Sequence, residues 1–311
     1  MTINVSQPIV PTASSLVSVA PIKLQVPGRG SDLEVRITAP VNGTKLPILV
    51  FSHGNGQSLY AYGPLANYWA GQGFAVFQPT HLDSRMLALA PNDPRRPRLW
   101  ESREQDLVHV LDQLGTIQAA VKEITGRLDR YKIAVAGHSW GAQTSSMLLG
   151  ATHPDPDKGG TVNIKDSRVK AGVLLAVPGT GGENLSEFAA KNFPFMNPDF
   201  GGMDTPALIV AGDDDRGAMT VRGPDWWREA YDLSPGPKAL FTVFGGQHSL
   251  GGISNYEARE TTDESPARIT AVQKITTAFL KAILSGDEAP WKQVTAMLDD
   301  DHARQGRIEA K

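Results

Sequence analysis

The feature that most narrows the fold of this chain is a series of nearly continuous apolar runs, each ending in glycine, proline or a short polar group. They are "LPILVFSHG" (46–54), "FAVFQPT" (74–80), "RYKIAVAGHSW" (130–140), "VKAGVLLAVP" (169–178), "TPALIVAGDDD" (205–215) and "KALFTVFGG" (238–246). A strand that is apolar at consecutive positions has both faces covered, as in a parallel sheet. Helical patterns separate the runs. One covers 61–72 and is closed by Gly71 and Gly73; another, 101–117, aligns Leu107, Val110, Leu111 and Leu114, with Ser102 as its expected cap. Further helices fit 140–150, 225–232 and 266–284. Strands alternating with helices predict an α/β fold with a mostly parallel central sheet flanked by helices. Ahead of it, "IKLQV" (22–26) and "LEVRITAP" (33–40) alternate apolar and polar residues around "PGRGSD", which predicts an antiparallel hairpin.

The strand runs follow one another from 46 to 246 without a linker, so a single domain is expected over 21–285. A Ser/Pro/Val-rich N-terminal arm (1–20) and a charged C-terminal tail (286–311), an exposed helix or a frayed end, flank it. Two segments break the alternation. The polar stretch 152–167 reads as a surface excursion, and 179–203 is longer and carries Phe188, Phe193, Phe195, Met196 and Phe200. Long loops of this kind often act as lids. Its aromatic residues either cover an apolar substrate or pack onto the core.

Composition excludes several classes. With no cysteine there is no disulfide, thiolate metal site or thiol nucleophile. A net charge of -3 gives no basic footprint for nucleic acid. No apolar run approaches the roughly 18–20 residues that span a bilayer. The N-terminus has no Lys or Arg before Lys23 and is interrupted by Pro8 and Pro11, unlike a secretory leader. A cytoplasmic location is expected by default, or a secreted one if a leader has been removed. Neither glycine-rich segment has the form of a phosphate or dinucleotide loop, so no cofactor is expected. His81 and Asp83 in "THLDS" are two ligand types without a third, so no metal is expected. His81 is instead expected to line a substrate pocket, with Phe193 and Trp226. Trp226 and its neighbour Trp227 also fit a helix with one of them buried and the other half-exposed.

The chemistry is concentrated at Gly137-His138-Ser139-Trp140-Gly141. This G-x-S-x-G lies between the strand "KIAVA" and a helix, the context of a nucleophile elbow. A serine on such a turn stands clear of the sheet with a helix N-terminus behind it. An acyl-transfer serine needs oxyanion donors, and the backbone amide of Trp140, the residue after it, is the first. The second is expected in "FSHGNGQS" (51–58) after an early strand, at the amide of Asn55 between two glycines. His53 reads as a turn histidine. The base is expected late in the chain, and of seven histidines His248, in "FGGQHSLGG", follows the last apolar strand. The acid falls in "AGDDDR": Asp215, three residues past Gly212, with Asp214 in reserve.

These blocks, with "VFSHGNGQSLYAYGPLANYWAGQGFAVFQPTHLDS", resemble the α/β-hydrolase superfamily over roughly residues 30–285. More narrowly they resemble bacterial chlorophyllase-like and platelet-activating-factor-acetylhydrolase-like esterases, which are related to lipases and polyester hydrolases. The resemblance implies metal-free ester hydrolysis through an acyl-enzyme, with Ser139 attacking, His248 shuttling the proton and Asp215 orienting His248. Some relatives carry the acid one strand earlier; here that position reads "LLAVPG", where Ala176 and Val177 cannot serve. A small-molecule ester, apolar or aromatic, is the expected substrate. The same residues also suit an amidase, a thioesterase or an acyltransferase, and a non-catalytic ligand receptor on this fold is a further reading. Oligomeric state leaves no signature in the sequence.

Overall fold

The computed structural model describes residues 15–255, 261–300 and 304–311. Most of the expected N-terminal arm (1–14) and His302 of the tail lie outside the described residues. The described residues open with an antiparallel hairpin, β1 (Leu16–Leu24) and β2 (Leu33–Pro40), followed by β3 (Leu46–Ser52), α1 (Gly63–Gly71) and β4 (Ala75–Pro79). Next come α2 (Leu99–Asp112), α3 (Leu114–Ala120), β5 (Leu128–His138) and α4 (Trp140–Leu148). A small excursion, β6 (His153–Pro154) and β7 (Thr161–Val162), precedes β8 (Val169–Leu175), α5 (Glu187–Asn192) and β9 (Ala207–Gly212). The last elements are α6 (Glu229–Asp232), β10 (Lys238–Val243), α7 (Pro266–Ser285), α8 (Ala289–Asp300) and β11 (Gly306–Ala310).

Among the described residues nine strands form one sheet, in the order β1-β2-β4-β3-β5-β8-β9-β10-β11. The six strands from β4 to β10 run parallel, and antiparallel pairs close both ends. The apolar runs explain this arrangement. Along β3, Ile48 and Val50 enter the core on one face, and Leu49 and Phe51 the core on the other. Along β5, Ile133 and Val135 alternate with Ala134 and Ala136 in the same way. One layer is covered by α2, α3 and α4, through residues such as Leu107, Val110 and Leu148, and the other by α1 and α7, through Leu65, Trp69, Ile275 and Leu280. The long helix α7 is capped by Ser265, whose hydroxyl accepts from the Arg268 amide, and ends at Gly286 with φ 69°.

Three expectations are corrected. Residues 16–20 are not arm but strand: Val17 and Val19 pack on the core, and Leu16 to Val19 pair with Pro40 to Ile37. The stretch 286–311 is not simply a tail. Trp291 of α8 meets Phe279 edge-on at 5.8 Å, and β11 pairs with β10 from Ala310 opposite Ala239 to Gly306 opposite Val243. Ser102 does not cap α2, because a 3-10 turn over Arg96–Arg98 already carries the chain into the helix at Leu99.

Candidate active site

Ser139 follows the last residue of β5 and directly precedes α4, at φ 56° and ψ −125°. Sterics account for this turn. A Cβ on Gly137 would lie 2.2 Å from the Gly141 carbonyl oxygen, and one on Gly141 would lie 2.0 Å from the Ser52 carbonyl oxygen. Only glycine at both positions lets strand, turn and helix approach so closely. The Ser139 amide is satisfied by the Leu175 carbonyl of β8 at 2.9 Å.

Ser139 Oγ lies 2.9 Å from His248 Nε2, and His248 Nδ1 lies 2.8 Å from Asp215 Oδ2. The carboxylate only accepts, so Nδ1 carries the proton and Nε2 is free to take the one on Ser139 Oγ. Asp215 is 1% exposed and His248 is part-exposed. The other two aspartates do different work. Asp213 accepts from the Gly245 amide at 2.6 Å, and Asp214 pairs with Arg216 at the surface.

His138, the first variable residue of G-x-S-x-G, links the loop after β3 to the loop after β10. Its Nε2 lies 2.7 Å from the His248 carbonyl oxygen, which only accepts, so this nitrogen is the protonated one. Burial, and then the neighbouring His248, push its pKa down to about 3, so the ring is neutral and Nδ1 accepts from the Tyr62 hydroxyl at 2.8 Å. The Tyr62 oxygen in turn accepts from the Gly54 amide at 3.1 Å.

Asn55 and Trp140, the expected oxyanion donors, line one cavity of about 640 Å³ together with Asp83, Leu99, Phe193 and Phe195. Trp140 opens α4, where the first amides have no acceptor within the helix. Phe193 is half-buried and meets the Trp140 ring edge-on at 5.6 Å. In the 179–203 segment, Phe195 and Met196 pack with Trp140 and Trp100, Phe200 enters the main core, and Phe188 stays 60% exposed. The segment therefore divides: Lys191 to Phe195 line the cavity, Leu185, Ala189, Phe200 and Met203 pack into the main core, and Phe188 stays outside.

Two expected pocket residues are placed elsewhere. His81 is fully buried: its Nδ1 donates to Asp106 Oδ2 at 3.0 Å and its Nε2 accepts from the Ser52 hydroxyl at 2.9 Å. Trp226 is also fully buried, its indole N–H held by the Thr180 carbonyl at 2.8 Å. Trp227, expected to share the burial unequally with Trp226, is equally inaccessible. It lies against His248 at 4.7 Å between ring centroids and donates to the Asp215 carbonyl at 2.9 Å. It therefore backs both the imidazole and its carboxylate. The aromatic pair "WW" was its only signal in the sequence.

A buried charge network beneath the 53–56 turn adds residues that the motifs do not mark. Arg103 and Asp106 of α2 sit one helical turn ahead of the core positions Leu107 and Val110, and both are buried. That spacing was the available signal: charges in register with an apolar stripe. Arg103 pairs with Asp83, and Asp106 pairs with Arg29 and His81. Burial pushes the Asp83 pKa up, but the Arg103 charge outweighs it and holds the carboxyl well below the usual carboxylate range. His53 is occupied within the turn, donating to the Gly54 carbonyl at 2.7 Å and accepting from the His81 amide at 3.0 Å. Among the described residues no group of three metal-ligating side chains converges, and no helix is long and apolar enough to cross a membrane.

No protein-family model matches the chain, and no curated protein sequence matches it.

Proposed function

We propose that the protein is a serine carboxylic-ester hydrolase of the α/β-hydrolase type. The observation that carries this reading is the bonded series Asp215–His248–Ser139, 2.8 Å and 2.9 Å, built on a serine at positive φ at the head of a helix. In the reaction, Ser139 Oγ attacks the ester carbonyl while His248 Nε2 takes its proton. Asp215 fixes the imidazole tautomer and stabilises the imidazolium. The tetrahedral oxyanion is held by the amides of Asn55 and Trp140. Collapse expels the alcohol, which takes the proton from His248, and leaves an acyl-Ser139. Water, activated by His248 in turn, releases the acid. Trp140, Phe193, Phe195 and Leu99 give an apolar stretch to a cavity that also carries Asp83, Arg96, Asp157 and Lys191, and that stretch suits an apolar or aromatic ester group.

The test is hydrolysis of p-nitrophenyl esters of short, medium and long acyl chains by wild type and Ser139→Ala. Turnover by wild type and its loss by several orders of magnitude in Ser139→Ala are expected. Equal activity in the two proteins would overturn the reading.

A further inference from the structure

We propose that the buried Arg103–Asp83 ion pair is a positioning device for the two oxyanion donors, one guanidinium orienting the Asn55 amide and seating Trp140. The inference rests on the esterase reading and concerns residues outside the Ser139–His248–Asp215 series.

Outside the pair itself, its hydrogen bonds go to the 53–56 turn, and its guanidinium lies over Trp140. Arg103 is fully buried, and its Nε and Nη2 donate to the two oxygens of Asp83 at 2.9 Å and 3.1 Å. Its Nη1 donates to the His53 carbonyl at 2.9 Å and its Nη2 also to the Gly54 carbonyl at 3.2 Å. Asp83 Oδ2 accepts from the Gly56 amide at 2.8 Å. The guanidinium carbon stands 4.4 Å from the centre of the Trp140 ring.

Peptide planarity turns these contacts into an orientation. The Gly54 carbonyl and the Asn55 N–H belong to one peptide unit, and in a trans peptide they point in opposite directions. Arg103 and the His53 ring hold that carbonyl inward, so the Asn55 N–H is turned away from the ion pair. Asn55 borders a cavity together with Trp140, the residue that follows Ser139. The amide of Gly56, the next residue, is taken up by Asp83 and cannot compete for an oxyanion. A buried ion pair adds little stability over apolar side chains of the same volume. Arginine's flat fork, unlike lysine's single ammonium, can reach a carboxylate and two carbonyls at once.

The test compares wild type, Arg103→Lys and Asp83→Asn with the same p-nitrophenyl esters, at a temperature well below each protein's melting point. Arg103→Lys keeps the charge but loses the fork. Asp83→Asn keeps the shape and serves where Arg103→Lys does not fold. A misaligned oxyanion donor costs transition-state stabilisation alone, so kcat is expected to fall about 10- to 100-fold with KM changed by less than about threefold. Inhibition by a substrate-shaped trifluoromethyl ketone, which becomes an oxyanion when Ser139 adds to it, is expected to weaken in parallel with kcat. The pH of half-maximal kcat on the acid side is expected to stay in place, since the His248–Asp215 contact is untouched. Folded variants with wild-type kcat and ketone affinity would overturn the inference and leave the esterase reading standing. A wild type that neither turns over esters nor is labelled at Ser139 by an organophosphonate would remove the esterase reading, and the oxyanion role with it.

Discussion

Replacing Ser139 by glycine should stabilise the protein relative to replacing it by alanine, although both changes remove the hydroxyl. Ser139 lies at φ 56° and ψ −125°, a region that a residue with a Cβ enters at a cost of about 1–3 kcal/mol. Alanine retains the Cβ and so retains that cost. Glycine removes it, but gives the unfolded chain more freedom, worth about 0.5–1 kcal/mol in the other direction. Both variants lose the 2.9 Å hydrogen bond to His248 Nε2, so that loss cancels in the comparison. Ser139→Gly should therefore be more stable than Ser139→Ala by about 0.5–2 kcal/mol. For a chain of 311 residues this amounts to roughly 1–3 °C in Tm, so equilibrium urea unfolding is the better assay. A glycine variant equal to or less stable than the alanine variant, at equal m-value, would refute the claim that the elbow stores backbone strain.

Two further predictions follow from the geometry. Asp215→Asn should lower kcat on p-nitrophenyl esters by about 10³–10⁴, because an amide can hold the imidazole in the wrong tautomer, whereas Asp214→Asn, paired with Arg216 at the surface, should leave kcat within about twofold. Equal losses in the two would assign the carboxylate wrongly. The second concerns pH. Burial pushes the His153 pKa down, but the Glu104 carboxylate 2.8 Å away outweighs it and raises the pKa above its ordinary 6.5. A raised folded-state value means stability fully present below about pH 6.5 and lost as pH rises through that raised value. The fall in Tm between pH 6 and pH 8 should accordingly be steeper in wild type than in His153→Gln; identical slopes would show that the pair is not linked to folding.

What could be read from the sequence was what depends on local pattern. The two-sided apolar runs match β3, β4, β5, β8, β9 and β10 to within a few residues at their ends, because runs this short, bounded by turn residues, fit strands buried on both faces. Ser139, Asp215 and His248 could be singled out because each lies in a short turn just past a strand. What stayed hidden depends on partners distant in sequence. "GRIEA" has only Ile308 to mark it as a strand, and its identity comes from the exposed edge of β10. His81 looked like a pocket residue because a histidine beside an aspartate in a loop suggests chemistry, yet Asp106, 25 residues away, captures it. Trp226 and Trp227 were ambiguous because a short turn gives no periodicity to tell an inner face from an outer one.

The strand order sets a problem of reach. Adjacent strands lie roughly 4.8 Å apart, and β8 and β9 separate β5 from β10, so the strands that carry Ser139 and His248 stand roughly 14 Å from each other. The loop after β10 has to lean back across the top of two intervening strands for its imidazole to meet the serine. His138 is the tether on that overhang: its Nε2 holds the His248 carbonyl at 2.7 Å, and Tyr62 braces the ring from behind at 2.8 Å. The first variable position of the G-x-S-x-G turn is therefore a strut of defined length between two loops. Anyone moving this elbow into another scaffold would have to carry positions 62, 138 and 248 together, as one part.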